Sequence, residues 1–206
     1  MIRSVFDNQV SLVCAIAELH LQSARFDLDP VFGNGLIHNG LGRPDLTFDI
    51  EPKDPLTKEA DCRWLPIESE SVNSVMFDPP FLAGGGTTGK MHDRYSSFSN
   101  WRELLAFYDA SIFEMYRVLN TKGVLVFKCQ DLMNGRTQIF SHCEIYKMAL
   151  ELGFYAKDLF ILESRRLMRP HNMKNQLHAR KSHTYFWVFE NSGKNNGIWA
   201  PGPQGV

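Results

Sequence analysis

The chain has 206 residues, of which 22 are Lys or Arg and 23 are Asp or Glu, so its formal net charge is −1. Hydrophobic residues make up 44% of the chain, which supports a folded core and excludes a disordered protein. The balanced charge excludes general attraction to polyanions, so any nucleic-acid binding must come from a local patch. No run approaches the roughly 20 apolar residues of a membrane span, and Asp7 and Glu18 interrupt the apolar pattern that a signal peptide would need.

Helical and strand-like patterns alternate over residues 1–190, which we interpret as a single domain. Apolar spacing predicts helices over residues 8–22, 100–119 and 139–152, the last ended by Gly153. Short apolar runs that end in turn residues predict strands within 24–30, 46–52, 60–66, 74–80, 123–131, 156–162 and 184–190. Residues 191–206 are rich in Gly, Pro and Asn and are expected to be irregular or disordered. The alternation predicts an α/β fold with a largely parallel, doubly wound sheet that has helices on both faces.

Glycines follow the acidic residue that ends the first of these strands. Asp29 and Pro30 are followed by Gly33 and Gly35, and glycine lets the backbone approach a ligand closely because it has no Cβ. An ordinary turn remains an alternative interpretation. The residues after this loop are poorly helical, so we expect the next helix to be short or replaced.

Acidic residues also end the second and third predicted strands. Ligands of open parallel sheets bind beyond the carboxyl ends of the strands. Asp49 comes about 20 residues after the glycine loop, the position from which a carboxylate grips ribose hydroxyls. Asp61, next to Cys62, could accept a hydrogen bond from an adenine amino group. A solvated acid at a strand end remains the alternative for both.

The fourth strand ends in the most informative segment, Asp78-Pro79-Pro80-Phe81. Two prolines fix φ and remove two backbone donors, which leaves carbonyl oxygens free to accept. A carboxylate, a carbonyl and an aromatic ring within four residues suit a flat base that carries an exocyclic amine. The alternative is a stiff strand exit with a core Phe.

These motifs resemble the class I S-adenosylmethionine-dependent methyltransferases, and in particular the amino-methyltransferases of DNA with a D-P-P-F-type tetrad. Residues 127–131 and 178–181 further resemble small phage and mobile-element DNA methylases. The resemblance implies a Rossmann-like sheet of seven strands with an antiparallel last strand, and S-adenosyl-L-methionine as the cofactor. It also implies the residues of the cofactor site and of the target-base site. The former are Asp29, Pro30, Gly33, Gly35, Asp49, Asp61 and Cys62, and the latter are Asp78, Pro79, Pro80 and Phe81.

The chemistry of such a tetrad favours direct methylation of nitrogen. Hydrogen bonds from the amine to Asp78 and to a carbonyl would expose the nitrogen lone pair, and orientation would supply most of the rate. The D-P-P-F segment has no cysteine nucleophile of the kind that ring-carbon methylation needs. We therefore expect transfer to adenine N6 or cytosine N4 in DNA.

Basic residues are concentrated in two segments that phosphate groups could contact. Residues 164–183 hold six Lys or Arg and no Asp or Glu, and a smaller group lies within 89–95. The candidates are Lys90, Arg94, Arg165, Arg166, Arg169, Lys174, Arg180 and Lys181. A solvated basic loop is the alternative, and the histidine spacing in this segment matches no common metal motif.

Other acceptors stay open. Bases of ribosomal or transfer RNA and the glutamine side chain of a protein also present a planar nitrogen, and a non-catalytic nucleic-acid-binding module is a further alternative. The four cysteines, Cys14, Cys62, Cys129 and Cys143, form no C-x-x-C pair, which argues against a disulfide scaffold and a zinc site. We expect a cytoplasmic protein of a bacterium or a phage-infected host that binds no metal.

Overall fold

The computed structural model describes residues 1–83, 98–134, 137–164 and 178–194. The helices are α1 (Gln9–His20), α2 (Trp101–Val118) and α3 (Ser141–Leu152), with a 3₁₀ helix at Leu36–His38. The strands are β1 (Val5–Phe6), β2 (Leu28–Asp29), β3 (Leu46–Asp49), β4 (Lys58–Glu59), β5 (Val72–Phe77), β6 (Leu119–Cys129), β7 (Leu132–Asn134), β8 (Thr137–Ile139), β9 (Phe154–Glu163) and β10 (His183–Asn191).

One large sheet carries the fold, in the order β1-β9-β10-β6-β5-β2-β3-β4. Its neighbouring strands are parallel except where β10 pairs with β6 and with β9. This confirms the predicted mostly parallel sheet with an antiparallel last strand. The predicted count of seven differs from the eight observed, because the two-residue β1 pairs with the outer edge of β9 and is too short to give a sequence pattern.

Helices pack on both faces of the sheet, as predicted. Helix α1 packs on one face, where Ile16 belongs to the same buried cluster as Met76 of β5. Helices α2 and α3 cover the other face, where Tyr108 and Ile145 share a cluster with Phe77. Adjacent residues of a strand point to opposite faces, so Met76 and Phe77 belong to different cores.

The helix boundaries follow from capping. The Asn8 side chain accepts from the Ser11 N–H at 2.9 Å at the start of α1, so the helix begins one residue later than the predicted range. Asn100 accepts from the N–H groups of Arg102 and Glu103 at the start of α2. Gly153 ends α3 with φ of 107°, which confirms its predicted role.

The third predicted strand is misplaced in the sequence analysis. The structure puts β4 at Lys58–Glu59 and a turn at Asp61, whose carboxylate accepts from the Arg63 N–H at 2.9 Å. The Asp61 carbonyl accepts from the Trp64 N–H at 2.9 Å. These local hydrogen bonds outweigh the strand tendency of residues 60–66. The short helix expected after the glycine loop is the 3₁₀ helix.

Candidate active site at the carboxyl edge of the sheet

A cavity of about 630 Å³ lies beyond the carboxyl ends of β2, β3, β4 and β5. All four predicted strand-tip acids line it, namely Asp29, Asp49, Asp61 and Asp78. Pro30, Gly33, Cys62 and Pro80 also line it, whereas Gly35, Pro79 and Phe81 are not among the lining residues. The structure therefore brings the four acids together, although Asp29 and Asp78 are 49 positions apart in the sequence.

Asp29 lies beneath the glycine loop, with 1% of its surface exposed. One carboxylate oxygen accepts from the Val31 N–H at 2.9 Å, and the other is 2.6 Å from Nε2 of His38. Burial raises the pKa of Asp29, and the hydrogen bond with His38 opposes that shift. Asp29 thus fixes the shape of the loop from below.

The glycine loop is tied to the second strand tip. Oδ2 of Asp49 accepts from the Gly33 N–H at 2.8 Å, and Gly33 has φ of 56°. Gly35 has φ of 67°, and a Cβ there would lie 2.5 Å from Cζ of Phe32. The second glycine is therefore required by the Phe32 ring, which stacks on His38 with ring centroids 5.8 Å apart.

Asp61 is paired with Arg63 at the third tip. Its two carboxylate oxygens accept from the Arg63 guanidinium, at 3.0 Å to Nε and 2.5 Å to Nη2. Burial alone would raise the pKa of Asp61, but the hydrogen bonds from Arg63 lower it overall. The neighbouring Cys62 is buried, and burial raises the pKa of its thiol to about 12.

Asp78 follows β5 directly and forms an ion pair with Lys128 of β6. Nζ of Lys128 donates to Oδ2 of Asp78 at 2.8 Å, and both side chains line the cavity. Phe77 and Phe127 are register partners in parallel strands, which places the next residues of both strands side by side. The side chains of Lys128 and Asp78 are 13% and 26% exposed, respectively.

The prolines and aromatic rings complete the fourth tip. The Tyr108 hydroxyl, which is fully buried, donates to the Pro80 carbonyl at 2.8 Å and fixes this segment on α2. Pro79 is buried, and Phe81 is partly buried and does not line the cavity. The aromatic residues that line the cavity are Phe32, Phe98 and Phe107.

The predicted nucleic-acid contacts fall in two groups. Arg180 and Lys181 precede β10, whose first residue pairs with the last residue of β9, so they lie at the same edge of the sheet as the cavity. The other candidates lie outside the described residues, namely Lys90, Arg94, Arg165, Arg166, Arg169 and Lys174.

Sequence reasoning missed His38, Arg63, Phe98 and Phe107 as members of this region. Arg63 lies two residues from its partner Asp61, so this pair could have been found from the sequence. His38, Phe98 and Phe107 reach the region only through the fold. Across the described residues, the structure shows no group of three or more His, Cys, Asp or Glu that could hold a metal ion. Within the same ranges, no helix is long and apolar enough to span a membrane.

The strand order defines a Rossmann-like, mostly parallel α/β sheet with a cavity at its carboxyl edge. TrmN from Thermus thermophilus is similar in structure, with a TM-score of 0.54 and 16% identity over 88% of this chain and 48% of that chain. A candidate methyltransferase from Bacillus halodurans also has a TM-score of 0.54, with 12% identity over 88% of this chain and 99% of that one. These likenesses establish the fold.

A candidate DNA modification methylase, also from Thermus thermophilus and solved with S-adenosyl-L-methionine, shows a weaker likeness. Its TM-score is 0.45, with 20% identity over 69% of this chain and 54% of that chain. This protein thus spans about half the length of TrmN and of this methylase. No protein-family model and no curated protein matches the sequence.

Proposed function

We propose that the protein is an S-adenosylmethionine-dependent N-methyltransferase that acts on the exocyclic amine of a base in DNA, adenine N6 before cytosine N4. The observation that carries the proposal is the cavity that joins the acids of four strand tips, Asp78 among them, with Pro80. Such a cavity at the carboxyl edge is where an open parallel sheet binds its ligand.

The cavity suits the cofactor in size and chemistry. Its volume of about 630 Å³ lies within the roughly 300–1,000 Å³ of small-molecule sites. In the proposal, Asp49 holds the ribose hydroxyls, Pro30 and Gly33 line the methionine and ribose part, and Gly35 gives the loop its turn. When bound, S-adenosyl-L-methionine supplies a methyl group on a positively charged sulfur.

The adenine edge is assigned to Asp61 and Cys62. Arg63 already occupies the Asp61 carboxylate, and its side chain is 38% exposed. Recognition of adenine through this carboxylate therefore requires that Arg63 share it or move aside. The backbone of the turn offers polar groups at the same tip.

The amine of the target base would lie beside Asp78. Lys128 engages Oδ2 of Asp78, and we assign Oδ1 to accept a hydrogen from the amine. The Pro79 carbonyl, which the resemblance implies for this role, is assigned as the second acceptor, and Tyr108 holds the segment by donating to the Pro80 carbonyl. Two acceptors on one amine favour a pyramidal nitrogen with an exposed lone pair, and Phe81 is the proposed stacking residue.

The cavity also favours nitrogen over ring carbon as the acceptor atom. Methylation at a ring carbon needs a thiolate nucleophile, and Cys62 is the cysteine of the described residues that lines the cavity. Because burial raises its pKa to about 12, this thiol stays protonated at neutral pH. Direct transfer to nitrogen needs no such group.

The basic segments are proposed to hold the phosphate backbone. Arg180 and Lys181 lie at the same edge of the sheet as the cavity, and the remaining candidates lie outside the described residues. Cytoplasm is the proposed compartment, because the four cysteines are free thiols.

Transfer of a labelled methyl group from the cofactor to unmodified DNA tests the proposal, with rRNA, tRNA and a glutamine peptide as parallel acceptors. Base analysis of the product DNA is expected to show N6-methyladenine or N4-methylcytosine, and sequencing then maps the modified position. Transfer to RNA or peptide alone would reject the DNA assignment, and failure to bind the cofactor in calorimetry would reject the enzyme.

Neutralising Arg165, Arg166 and Arg169 together tests the basic segment. Substrate binding should weaken, and the slope of log K against log salt should fall by about 0.9 per lost phosphate contact. An unchanged slope would remove these residues from the interface.

A further inference from the structure

The side chains of the Asp78–Lys128 ion pair are aligned by the register of two neighbouring strands. The two residues follow register partners in adjacent parallel strands, so their side chains point to the same face of the sheet. That face is the one covered by α1, to which Met76 and Val126 also belong. The pair therefore lies side by side at the end of the cavity.

Lys128 is held in place over most of its length. Its side chain is 13% exposed, and Nζ lies 5.8 Å from the centre of the Phe186 ring. The Nζ atom has three donors and gives one to Asp78 at 2.8 Å. A lysine that served only as a surface counter-charge would extend into solvent, whereas this one is fixed at the cavity wall.

A carboxylate next to an ammonium offers one acceptor and one donor side by side. The exocyclic amine of adenine or cytosine is a donor, and each is bonded to a carbon whose ring nitrogen neighbour is an acceptor. These two edges are complementary. We propose that Lys128 donates to the ring nitrogen beside the target amine while Asp78 accepts from that amine, so that the pair selects an amino group next to a ring acceptor.

This inference rests on the proposed function and identifies the part of the base that is recognised. A hydrogen-bond donor on the ring nitrogen draws electron density away from the amine and so does not assist its attack on the methyl group. The contact should therefore act mainly through substrate binding and specificity. Its loss is expected to raise KM and to leave kcat within about threefold.

The test uses duplex DNA in which the target adenine is replaced by 1-deazaadenine, with 7-deazaadenine as the control, or the target cytosine by 3-deazacytosine. For adenine, 1-deazaadenine should raise KM roughly 10- to 100-fold, the factor expected for a hydrogen bond to a charged group, whereas 7-deazaadenine keeps N1 and should leave KM unchanged. For cytosine, 3-deazacytosine should do the same. Weaker pairing of 1-deazaadenine or 3-deazacytosine makes extrusion easier, so impaired pairing cannot explain a loss.

Lys128→Met separates a direct contact from an effect through Asp78. If the contact is direct, the variant should raise KM on normal DNA by the same factor and lose nothing more on the analogue. If the increase in KM of Lys128→Met on the analogue equals the product of the two separate increases, the proposal is overturned, because Lys128 would then act through Asp78 alone. Lys122→Met is the matched control, since Lys122 is also in β6 and is paired with Glu190, with 70% of its side chain exposed.

The comparison of analogues on the wild-type protein does not depend on the stability of any variant. Equal KM for every available deaza analogue and the normal base would overturn the proposal while leaving the methyltransferase assignment intact. Absence of transfer to any nucleic acid would overturn the proposed function and this inference together. Cofactor affinity and the melting temperature of each variant show whether its fold is retained.

Discussion

Replacement of Asp78 by Ala tests the centre of the site. The substitution removes the acceptor assigned to the amine, and a hydrogen bond to a charged group contributes about 1.5–3 kcal/mol, or roughly 10- to 100-fold in rate. Loss of orientation adds to this, so kcat/KM should fall by at least about 10²-fold. The cofactor Kd should stay within about threefold of wild type, because Asp49 and the glycine loop are unchanged.

The same substitution leaves the Lys128 ammonium without its partner at a site where it is 13% exposed. Since the pair is only partly buried, we expect the free energy of unfolding to fall by about 1–2 kcal/mol, less than for a fully buried pair. The double variant Asp78→Ala with Lys128→Met should recover that stability but not the activity. Urea denaturation measures the first effect and labelled methyl transfer the second.

The control is Asp45→Ala, which removes an exposed carboxylate that is paired with Arg25 at the surface. Transfer and stability should both stay close to wild type. A large loss of cofactor affinity in Asp78→Ala would show that the target-base pocket is misassigned. Retained transfer would show that the amine is held elsewhere.

Three further variants probe the surroundings of the cavity. Asp49→Ala should weaken cofactor binding by roughly 10- to 100-fold in calorimetry, because it removes a charged acceptor and the anchor of Gly33. Because the pKa of Asp29 is raised in the folded protein, this group's contribution to stability is complete below its unfolded pKa and is lost as the pH rises through its folded pKa. The melting temperature of Asp29→Asn should therefore increase relative to that of wild type as the pH rises above about 4. Tyr108→Phe should lower the free energy of unfolding by about 1 kcal/mol in urea and reduce kcat, because the Pro80 carbonyl loses its donor.

The sequence predicted the fold where each feature is local. Strand β5, which Asp78 follows, carries apolar residues buried on both faces, and such a run is visible without coordinates. Gly153 was recognisable as a helix end for the same reason. The third strand was misplaced because the hydrogen bond of Asp61 to the Arg63 N–H competes with the ladder, and residue type alone does not reveal that outcome.

The partners within the site could not be predicted in the same way. His38 meets Asp29 because the 3₁₀ helix turns back under the glycine loop, and Phe107 reaches the cavity from α2, which begins 20 residues after Phe81. Lys128 is 50 residues from its partner Asp78 in the sequence. Its choice of Asp78 follows from the register of β5 and β6, which depends on the packing of the whole sheet.

The proposed recognition of the base by Asp78 and Lys128 therefore depends on the register of the two central strands, β5 and β6. A shift of either strand by one residue would turn Phe77 or Phe127 towards the cavity. The same shift would bury Asp78 or Lys128 among apolar side chains. Slipped forms would consequently be penalised twice, once through buried charge and once through exposed rings. The surrounding loops can change in sequence without altering this register. At β5 and β6 themselves, a change in specificity has to come from side-chain replacement, because a register shift would disrupt the core.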